Sequence, residues 1–222
     1  MYTRKVFWEE PYRTQLDTTV TRVIADEITL ASTIFFAFSG GQESDRGTIG
    51  GHAVLDAHKA DREIVYTLPA NHGLVAGQAV SVDIDWTHRY RLMRLHFAAE
   101  LVLELVYRQF PGIVKVGAHI AEDKARLDFA LGESITPALP VLTHAANALI
   151  ADDHGIFTGF DDPEAERRYW QVVGFARVAC GGTHVRRTGE IGHLTLKRRN
   201  VGRGKERIEI HLDSERGTTP AS

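Results

Sequence analysis

The clearest hydrophobic pattern in the chain lies between residues 87 and 110. Apolar residues there follow one another at steps of three and four, the period of one helical face: Leu92, Leu95, Ala99, Val102 and Val106. A Pro-Gly pair at 111–112 ends the pattern, because proline cannot continue a helix. The sequence therefore predicts one long amphipathic helix near the middle of the chain.

The pattern before this helix has a different period. Residues 13–85 contain short runs with alternating β-branched positions, separated by the turn sequences at 39–42, 50–51 and 71–73. Short strands at such spacing are typical of a small barrel or sandwich. We therefore predict an all-β N-terminal domain over residues 1–85 and a boundary near Asp85.

Strands and helices alternate after the central helix. The sequence predicts a strand pair at 113–120 and 125–130, a helix from Thr136-Pro137 to about residue 150, and a shorter helix opened by Asp162-Pro163. Further strands are expected at 172–178, 191–197 and 207–212. The fold class is therefore α+β, with a second domain over 86–213 and a disordered tail over 214–222.

Composition limits the classes of protein that fit the chain. The 222 residues carry a net charge of −3 and a single cysteine, so an internal disulfide is excluded. No apolar run approaches the roughly 20 residues of a membrane span, and the first residues lack the apolar core of a secretory signal. These features predict a cytoplasmic protein without a membrane partner.

Charge is distributed unevenly. Residues 186–207 contain eight Lys or Arg against two Glu. The basic residues at the centre of this stretch, interspersed with glycines, are Lys197, Arg198, Arg199, Arg203 and Lys205. Such a segment is typical of a surface that contacts nucleic-acid phosphates, although a solvated hairpin loop would have a similar composition.

Candidate metal ligands lie in two parts of the chain. Cys180 and His184 are separated by two glycines and a threonine, and glycine's backbone freedom allows a loop tight enough to bring thiolate and imidazole together. His96 and Glu100 are four residues apart in the predicted helix and so share a face. This mixture of sulfur, nitrogen and oxygen donors suits zinc. If only three side chains bind, the open position can hold water or substrate.

Several motifs together resemble a known family. They are Thr33 to Gln42 (TIFFAFSGGQ) with Asp45 and Gly47, then Arg94-Leu95-His96, Arg126 to Phe129 (RLDF), Cys180 to His184 (CGGTH) and Thr188 to Gly192 (TGEIG). In this order the chain resembles the free-standing alanyl-tRNA editing proteins of the AlaX type, which are related to the editing domains of alanyl- and threonyl-tRNA synthetases. The length is similar to that of members with an N-terminal β-barrel before the editing domain.

The resemblance implies an activity and a fold. Such proteins hydrolyse, in trans and without ATP, the ester that joins a wrong amino acid to tRNA, chiefly serine and also glycine on the alanine tRNA. The implied fold is an N-terminal barrel followed by an α+β editing domain with a central antiparallel sheet. The implied partner is tRNA.

The resemblance also implies roles for individual residues. The family's metal motif is His-x3-His with Cys-x3-His, so His96, Cys180 and His184 correspond to zinc ligands. Glu100 stands where the family has its second histidine. Glutamate can either complete the zinc shell or accept a proton from the attacking water. A third interpretation is a subgroup with weakened metal binding and altered substrate choice.

Two pocket residues come from the glycine-containing motif. Thr33 matches a threonine that, in the family, faces the amino acid and helps to distinguish serine from alanine by its hydroxyl group, and Gln42 is the second candidate. Two other functions remain open. A relative that binds tRNA without catalysis would explain Glu100, and a metal-dependent hydrolase of a small ester or amide would explain the ligands without tRNA.

Overall fold

The computed structural model describes residues 2–202 and 204–213, so Arg203 and the predicted disordered tail, 214–222, lie outside the described residues. Two groups of buried hydrophobic side chains form separate cores. One contains residues from Val6 to Ile84, and the other contains residues from Leu92 to Leu212. Within the described ranges, no helix combines the length and the hydropathy needed to cross a membrane.

The first core is enclosed by β-strands, as predicted. The strands are β1 (Arg4–Lys5), β2 (Gln15–Ile24), β3 (Glu27–Leu30), β4 (Ser32–Thr33), β5 (Gly47–Ile49), β6 (His52–Ala53), β7 (Asp56–Ala60), β8 (Glu63–Thr67) and β9 (Ala79–Ile84). A short 3₁₀ turn, Val6–Trp8, follows β1, which pairs in parallel with β4. Alternate residues of β2 and β9 point into the core, which gives these strands their period of two.

Seven of these strands form one curled antiparallel sheet in the order β6-β5-β9-β2-β3-β8-β7. The first half of β2 pairs with β9 and its second half with β3, and a register shift between Val20 and Arg22 bends the strand. Between residues 2 and 85 the edge strands β6 and β7 do not pair with each other, so closure into the predicted barrel is not confirmed. β6 has two residues and β7 is mostly polar, which leaves both edges short and solvated.

The predicted central helix is confirmed as α1 (Trp86–Gln109). Asp85 caps its first turn by accepting a hydrogen bond from the backbone N–H of His88. All five residues of the predicted apolar face are buried in the second core. The helix ends at the Pro-Gly pair, where Gly112 has a φ of +84°. His96 and Glu100 both lie in α1, about one helical turn apart.

The second half of the chain contains β10 (Val114–Ile120), β11 (Ala125–Ala130), α2 (Leu139–Ala151), β12 (Phe157–Asp162), β13 (Arg167–Val172), β14 (Ala176–Ala179), β15 (Leu194–Asn200) and β16 (Lys205–Leu212). The 3₁₀ turns Thr136–Ala138 and Thr188–Ile191 precede α2 and β15. Four strands form the predicted antiparallel sheet in the order β10-β11-β16-β15, and α1 and α2 cover it. A separate three-stranded sheet, β12-β13-β14, carries the segment that leads to Cys180.

The structure corrects two local predictions. The helix expected from Asp162-Pro163 is wrong, because Asp162 instead closes a hairpin turn by accepting a hydrogen bond from Ala165 N–H. Asp and Pro are also favoured in such turns. The single strand expected at 172–178 is divided by a turn at 173–175 between β13 and β14. The hairpin turn at Gly174, with a φ of +79°, accounts for the division.

Candidate metal centre

Three predicted metal ligands meet between α1 and the loop after β14. The Sγ atom of Cys180 lies 3.3 Å from His184 Nε2 and 3.5 Å from His96 Nε2. One donor atom from each residue lies within 4.8 Å of the others. Both histidines are buried, and Cys180 is partly buried. The three side chains therefore form a compact cluster that could hold a metal ion.

The loop reaches α1 because residue 182 is glycine. A Cβ atom at Gly182 would overlap the His96 ring and lie 2.9 Å from Gln42 Oε1. Two long-range hydrogen bonds hold the loop from its other side. The indole N–H of Trp8 donates to Gly181 O at 2.8 Å, and Arg168 Nη1 donates to Gly182 O at 3.2 Å. The N-terminal turn and β13 thus fix the loop that carries two of the ligands.

The two imidazoles have opposite electrostatic environments. Burial, with additional repulsion from His96 and Arg168, holds the pKa of His184 well below its ordinary value. Burial acts in the same direction on His96, but Cys180 and Glu100 outweigh it and raise the pKa of His96. His184 is therefore neutral at physiological pH, the state in which an imidazole can bind a metal.

The spacing of the donors fits zinc. With Zn–S near 2.3 Å and Zn–N near 2.05 Å, tetrahedral geometry separates sulfur from nitrogen by about 3.5 Å. The separations of 3.3 and 3.5 Å around Cys180 agree with this value. The Nδ1 atoms of His96 and His184 are buried without a hydrogen-bond partner among the described residues, and the Nε2 atoms face the thiol. The donor set and its spacing are thus compatible with a zinc ion held through Nε2.

Glu100 lies beside the cluster but outside the group whose donor atoms are all within 4.8 Å of one another. Its Oε1 is 3.4 Å from His96 Nε2 and 3.8 Å from Cys180 Sγ, while Oε2 accepts a hydrogen bond from the indole of Trp170 at 2.8 Å. Burial would raise the pKa of Glu100, but hydrogen bonds and charge from His96, together with Trp170, lower it. The carboxylate is therefore ionised and held in one orientation.

Gln42 also reaches the cluster. Its Nε2 donates to Thr183 Oγ1 at 2.9 Å, and its Oε1 accepts from Thr183 N–H at 3.4 Å. The loop before it packs on β10 at Gly41, where a Cβ atom would lie 2.6 Å from Ala118 O. The glycines at 40–41 therefore bring a residue of the N-terminal half against the metal-ligand loop.

Comparisons with known proteins identify the family of the chain. Residues 172–209 match the threonyl and alanyl tRNA synthetase second additional domain. The chain is 34% identical to the alanyl-tRNA editing protein AlaX-M of Pyrococcus horikoshii, over 95% of this chain and 98% of that protein. This chain belongs to the AlaX-M family of alanyl-tRNA editing proteins.

Two further relatives extend the comparison. The AlaX-M protein of Saccharolobus solfataricus is 28% identical over 93% of this chain and 97% of that protein. The alanine–tRNA ligase of Ignicoccus hospitalis is 31% identical over 94% of this chain but only 26% of its own length. This chain thus corresponds to one part of a much larger synthetase.

Thr33 is buried in the N-terminal half of the chain. It is fully buried, and its Oγ1 accepts hydrogen bonds from Phe35 N–H at 3.0 Å and from the Tyr66 hydroxyl at 2.7 Å. Its described hydrogen bonds therefore stay within the N-terminal half. The structure brings Gln42, but not Thr33, into hydrogen-bond contact with the ligand loop.

The predicted phosphate-contacting residues lie on the β15–β16 hairpin. Lys197, Arg199 and Lys205 are exposed, whereas Arg198 makes a bidentate ion pair with Glu206 at 2.5 and 2.6 Å. Arg203, the remaining predicted residue, lies outside the described residues. The β15–β16 hairpin therefore presents three exposed cationic side chains that form no salt bridge with an acidic residue in the described part of the chain.

Sequence reasoning missed three residues that support the ligands. Trp8, Arg168 and Trp170 hold the loop or Glu100 through contacts across 173, 14 and 70 positions of the chain. Their one local signal is in β13, where Arg168 and Trp170 alternate with partly exposed residues. That alternation predicts a half-buried strand, which the expected helix at 162 obscured.

Proposed function

We propose that this chain hydrolyses the ester of mischarged alanine tRNA in trans, removing serine and also glycine. As a member of the AlaX-M family, the chain is an aminoacyl-tRNA deacylase. The observation that carries the proposal is the His96, Cys180 and His184 cluster, in a chain that matches editing proteins along their whole length. The reaction belongs in the cytoplasm, where charged tRNA is used for translation.

Zinc is the metal we propose for the cluster. The donor set contains one thiolate and two imidazoles, which zinc binds in preference to calcium or magnesium. Three protein ligands are the usual number at a catalytic zinc, where the fourth position remains open. A zinc ion there would polarise the ester carbonyl as a Lewis acid.

Glu100 is our candidate for the general base. Its Oε2 is held by Trp170, so Oε1 keeps a fixed position beside His96 and Cys180. An ionised carboxylate at that position can accept the proton of the attacking water. The alternative, in which Glu100 completes the metal shell, requires the carboxylate to approach His184 more closely than in this structure.

Thr33 and Gln42 are our candidates for substrate selection. Gln42 hydrogen-bonds the ligand loop, which would bring its side chain near the amino acid of a bound substrate. The Thr33 hydroxyl already accepts two hydrogen bonds and keeps its own proton to donate to a serine hydroxyl. A site that hydrogen-bonds a hydroxyl group strongly rejects the analogue that lacks it, and an editor must spare alanyl-tRNA in this way.

We also propose a division of the chain for tRNA binding. Residues 1–85 and 86–213 would form two domains, each with its own core. The exposed Lys197, Arg199 and Lys205 of the β15–β16 hairpin would contact tRNA phosphates, as would Arg203. Replacing Arg199 by Gln should weaken tRNA binding and reduce the slope of log affinity against log salt by about one. Replacing Arg198 should weaken binding less, because Glu206 already pairs with it.

The decisive experiment combines metal analysis with deacylation. Purified protein of known zinc content is incubated with alanine tRNA charged with serine, glycine or alanine, beside the Cys180→Ala and Glu100→His variants. Loss of the seryl or glycyl ester with alanyl-tRNA spared, and abolition in Cys180→Ala, would support trans-editing. An inactive wild type with an active Glu100→His would instead favour the tRNA-binding relative, which the departure at Glu100 makes the second candidate.

A further inference from the structure

Residues 4–8 run from the N-terminal core to the ligand loop, and we call them the N-terminal strap. The strap consists of β1 and the 3₁₀ turn that follows it. At one end, Lys5 lies opposite Thr33 in the parallel pair of β1 with β4. At the other end, the Trp8 indole donates a hydrogen bond to Gly181 O at 2.8 Å. The strap therefore joins the strand of a candidate selectivity residue to the loop that carries two of the metal ligands.

A buried ion pair fixes the strap. Lys5 Nζ donates to Glu166 Oε1 at 2.5 Å and to the backbone oxygen of Arg62 at 2.8 Å. The Lys5 side chain is fully buried, and that of Glu166 is only 11% exposed. Burial lowers the pKa of Lys5, while the hydrogen bond and the charge of Glu166 act in the opposite direction. Glu166 therefore supplies the counterion that a buried ammonium group requires.

The backbone at Glu166 points to a purpose for its side chain. Glu166 lies in the turn between β12 and β13 with a φ of +54°. Residues with a Cβ atom rarely adopt this conformation, whereas glycine does so without strain. The shape of the turn therefore does not account for a glutamate at this position. The contact of its carboxylate with Lys5 does.

Arg168, two residues beyond Glu166, holds the other end of the strap. Its Nη2 donates to Trp8 O at 3.1 Å, and its Nη1 donates to Gly182 O at 3.2 Å. The Lys5 ammonium group and the Arg168 guanidinium lie 5.5 and 5.4 Å from the centre of the Trp8 ring. In the part of the chain that the structure describes, neither Lys5 nor Glu166 hydrogen-bonds the ligand loop. Their effect on the loop therefore passes through Trp8 and Arg168.

We propose that Lys5 and Glu166 are positioning residues for the metal centre. Their ion pair fixes the strap, the strap fixes the indole of Trp8, and the indole holds the ligand loop at Gly181. The inference rests on the zinc site of the proposed function. Its consequence is that a contact between β1 and the β12–β13 turn determines how firmly the metal is held.

The test measures metal release apart from hydrolysis. Zinc-loaded full-length protein is mixed with an excess of a chromogenic zinc chelator, and the rate of zinc release is recorded well below the melting temperature of every variant. The charge-free double variant, Lys5→Met with Glu166→Gln, removes the pair without leaving a buried charge unpaired. Trp8→Phe removes the indole donor and keeps an aromatic ring.

The matched control is Glu209→Gln. The Glu209 side chain is 12% exposed and pairs with Lys124 at 3.1 Å, so its burial and its pairing are similar to those of Glu166. This pair lies on the sheet that contains β11 and β16, outside the contacts of the strap. The control therefore shows the effect of losing a half-buried ion pair that does not position the ligand loop.

Both test variants should release zinc about tenfold faster than wild type, whereas Glu209→Gln should release it at the wild-type rate. Adding Trp8→Phe to the charge-free double variant should change the rate little further, because both changes loosen the same contact. In saturating zinc, kcat for mischarged tRNA should fall without a change in KM, since the proposed phosphate contacts lie on the β15–β16 hairpin. Wild-type zinc release in the charge-free double variant, even with a lower melting temperature, would overturn the inference. So would effects that multiply when Trp8→Phe is added.

The outcomes also separate the two proposals. A protein that deacylates seryl-tRNA and whose charge-free double variant releases zinc as slowly as wild type would retain the proposed function and lose the positioning role. A protein whose zinc release accelerates as expected but that leaves every ester intact would retain the positioning role and lose the proposed hydrolysis. A wild-type protein that takes up no zinc would overturn the zinc site and the positioning role together.

Discussion

The buried ion pair between Asp45 and Arg89 joins the start of α1 to the N-terminal core. Arg89 Nε donates to Asp45 Oδ1 at 2.7 Å, and a second, shorter contact joins Nη2 to Oδ2. Both side chains are completely buried. Asp45 also accepts from Phe36 N–H at 2.6 Å, and Arg89 donates to the backbone oxygens of Pro11 and Ile34. One pair thus fixes three segments on the helix that carries His96.

Replacing Asp45 by Asn should destabilise the fold strongly. Asparagine keeps the size of the side chain but leaves Arg89 as a buried charge without a counterion. Breaking one side of a buried pair costs about 3–5 kcal/mol. At about 2–4 °C per kcal/mol for a chain of this size, the melting temperature should fall by about 6–20 °C. The double variant Asp45→Asn with Arg89→Met removes both charges. Its free energy of unfolding should fall by less than the sum of the losses in the two single variants.

The assay is urea unfolding followed by far-UV circular dichroism, with thermal melts alongside. The control is Arg46→Gln at the position next to Asp45. This variant removes the exposed ion pair between Arg46 and Glu122. That variant should lose less than about 1 kcal/mol. If Asp45→Asn loses no more than the control, the buried pair does not fix α1 to the N-terminal core.

Three further changes test the support of the metal centre and of the hairpin. Trp170→Phe removes the hydrogen bond to Glu100 and should lower kcat about 10–100-fold at unchanged zinc content; unchanged kcat would contradict the role of the indole. Gly182→Ala places a methyl group on His96 and should reduce bound zinc, measured by plasma emission spectrometry; full zinc occupancy would contradict the close approach. Glu206→Gln tests acid stability. The paired guanidinium lowers the pKa of Glu206 below 4.5, so its stabilisation is present above that pH and is lost as the pH falls further. The variant should therefore be less stable at pH 7 and lose less stability in acid, measured by urea midpoints from pH 7 to pH 3; parallel midpoints would refute this.

Elements with a strong local period were predictable. In α1 the apolar steps of three and four, the Asp85 cap and the Pro-Gly stop all agree, and the helix begins and ends where these signals place it. β10 and β11 could be predicted equally well, because turn residues separate two short runs of strand-forming residues. Each of these signals acts within a few residues, so no tertiary information is needed to recognise it.

The prediction at Asp162-Pro163 was wrong because the same residues serve two local structures. Asp can cap a helix, or it can close a turn by accepting a hydrogen bond from an N–H three residues on, as it does here with Ala165. What decides between them is the pairing of β12 with β13, and this pairing depends on residues outside the turn. The local sequence alone could not make that choice.

The candidate site also contains residues that the sequence could predict and residues that it could not. His96, Cys180 and His184 could be grouped from the sequence because the Cys-x3-His spacing suits a shared metal ion and the family resemblance implies His96 as a third ligand. The residues that support them could not, since Trp8 and Trp170 come from distant parts of the chain and hydrogen-bond Gly181 and Glu100 through ordinary indole groups. A ligand is recognisable by its chemistry, whereas a supporting residue is recognisable only by its position. The substitution at Glu100 should therefore be read with Trp170, because the indole fixes the carboxylate in the orientation that its proposed role as a base requires.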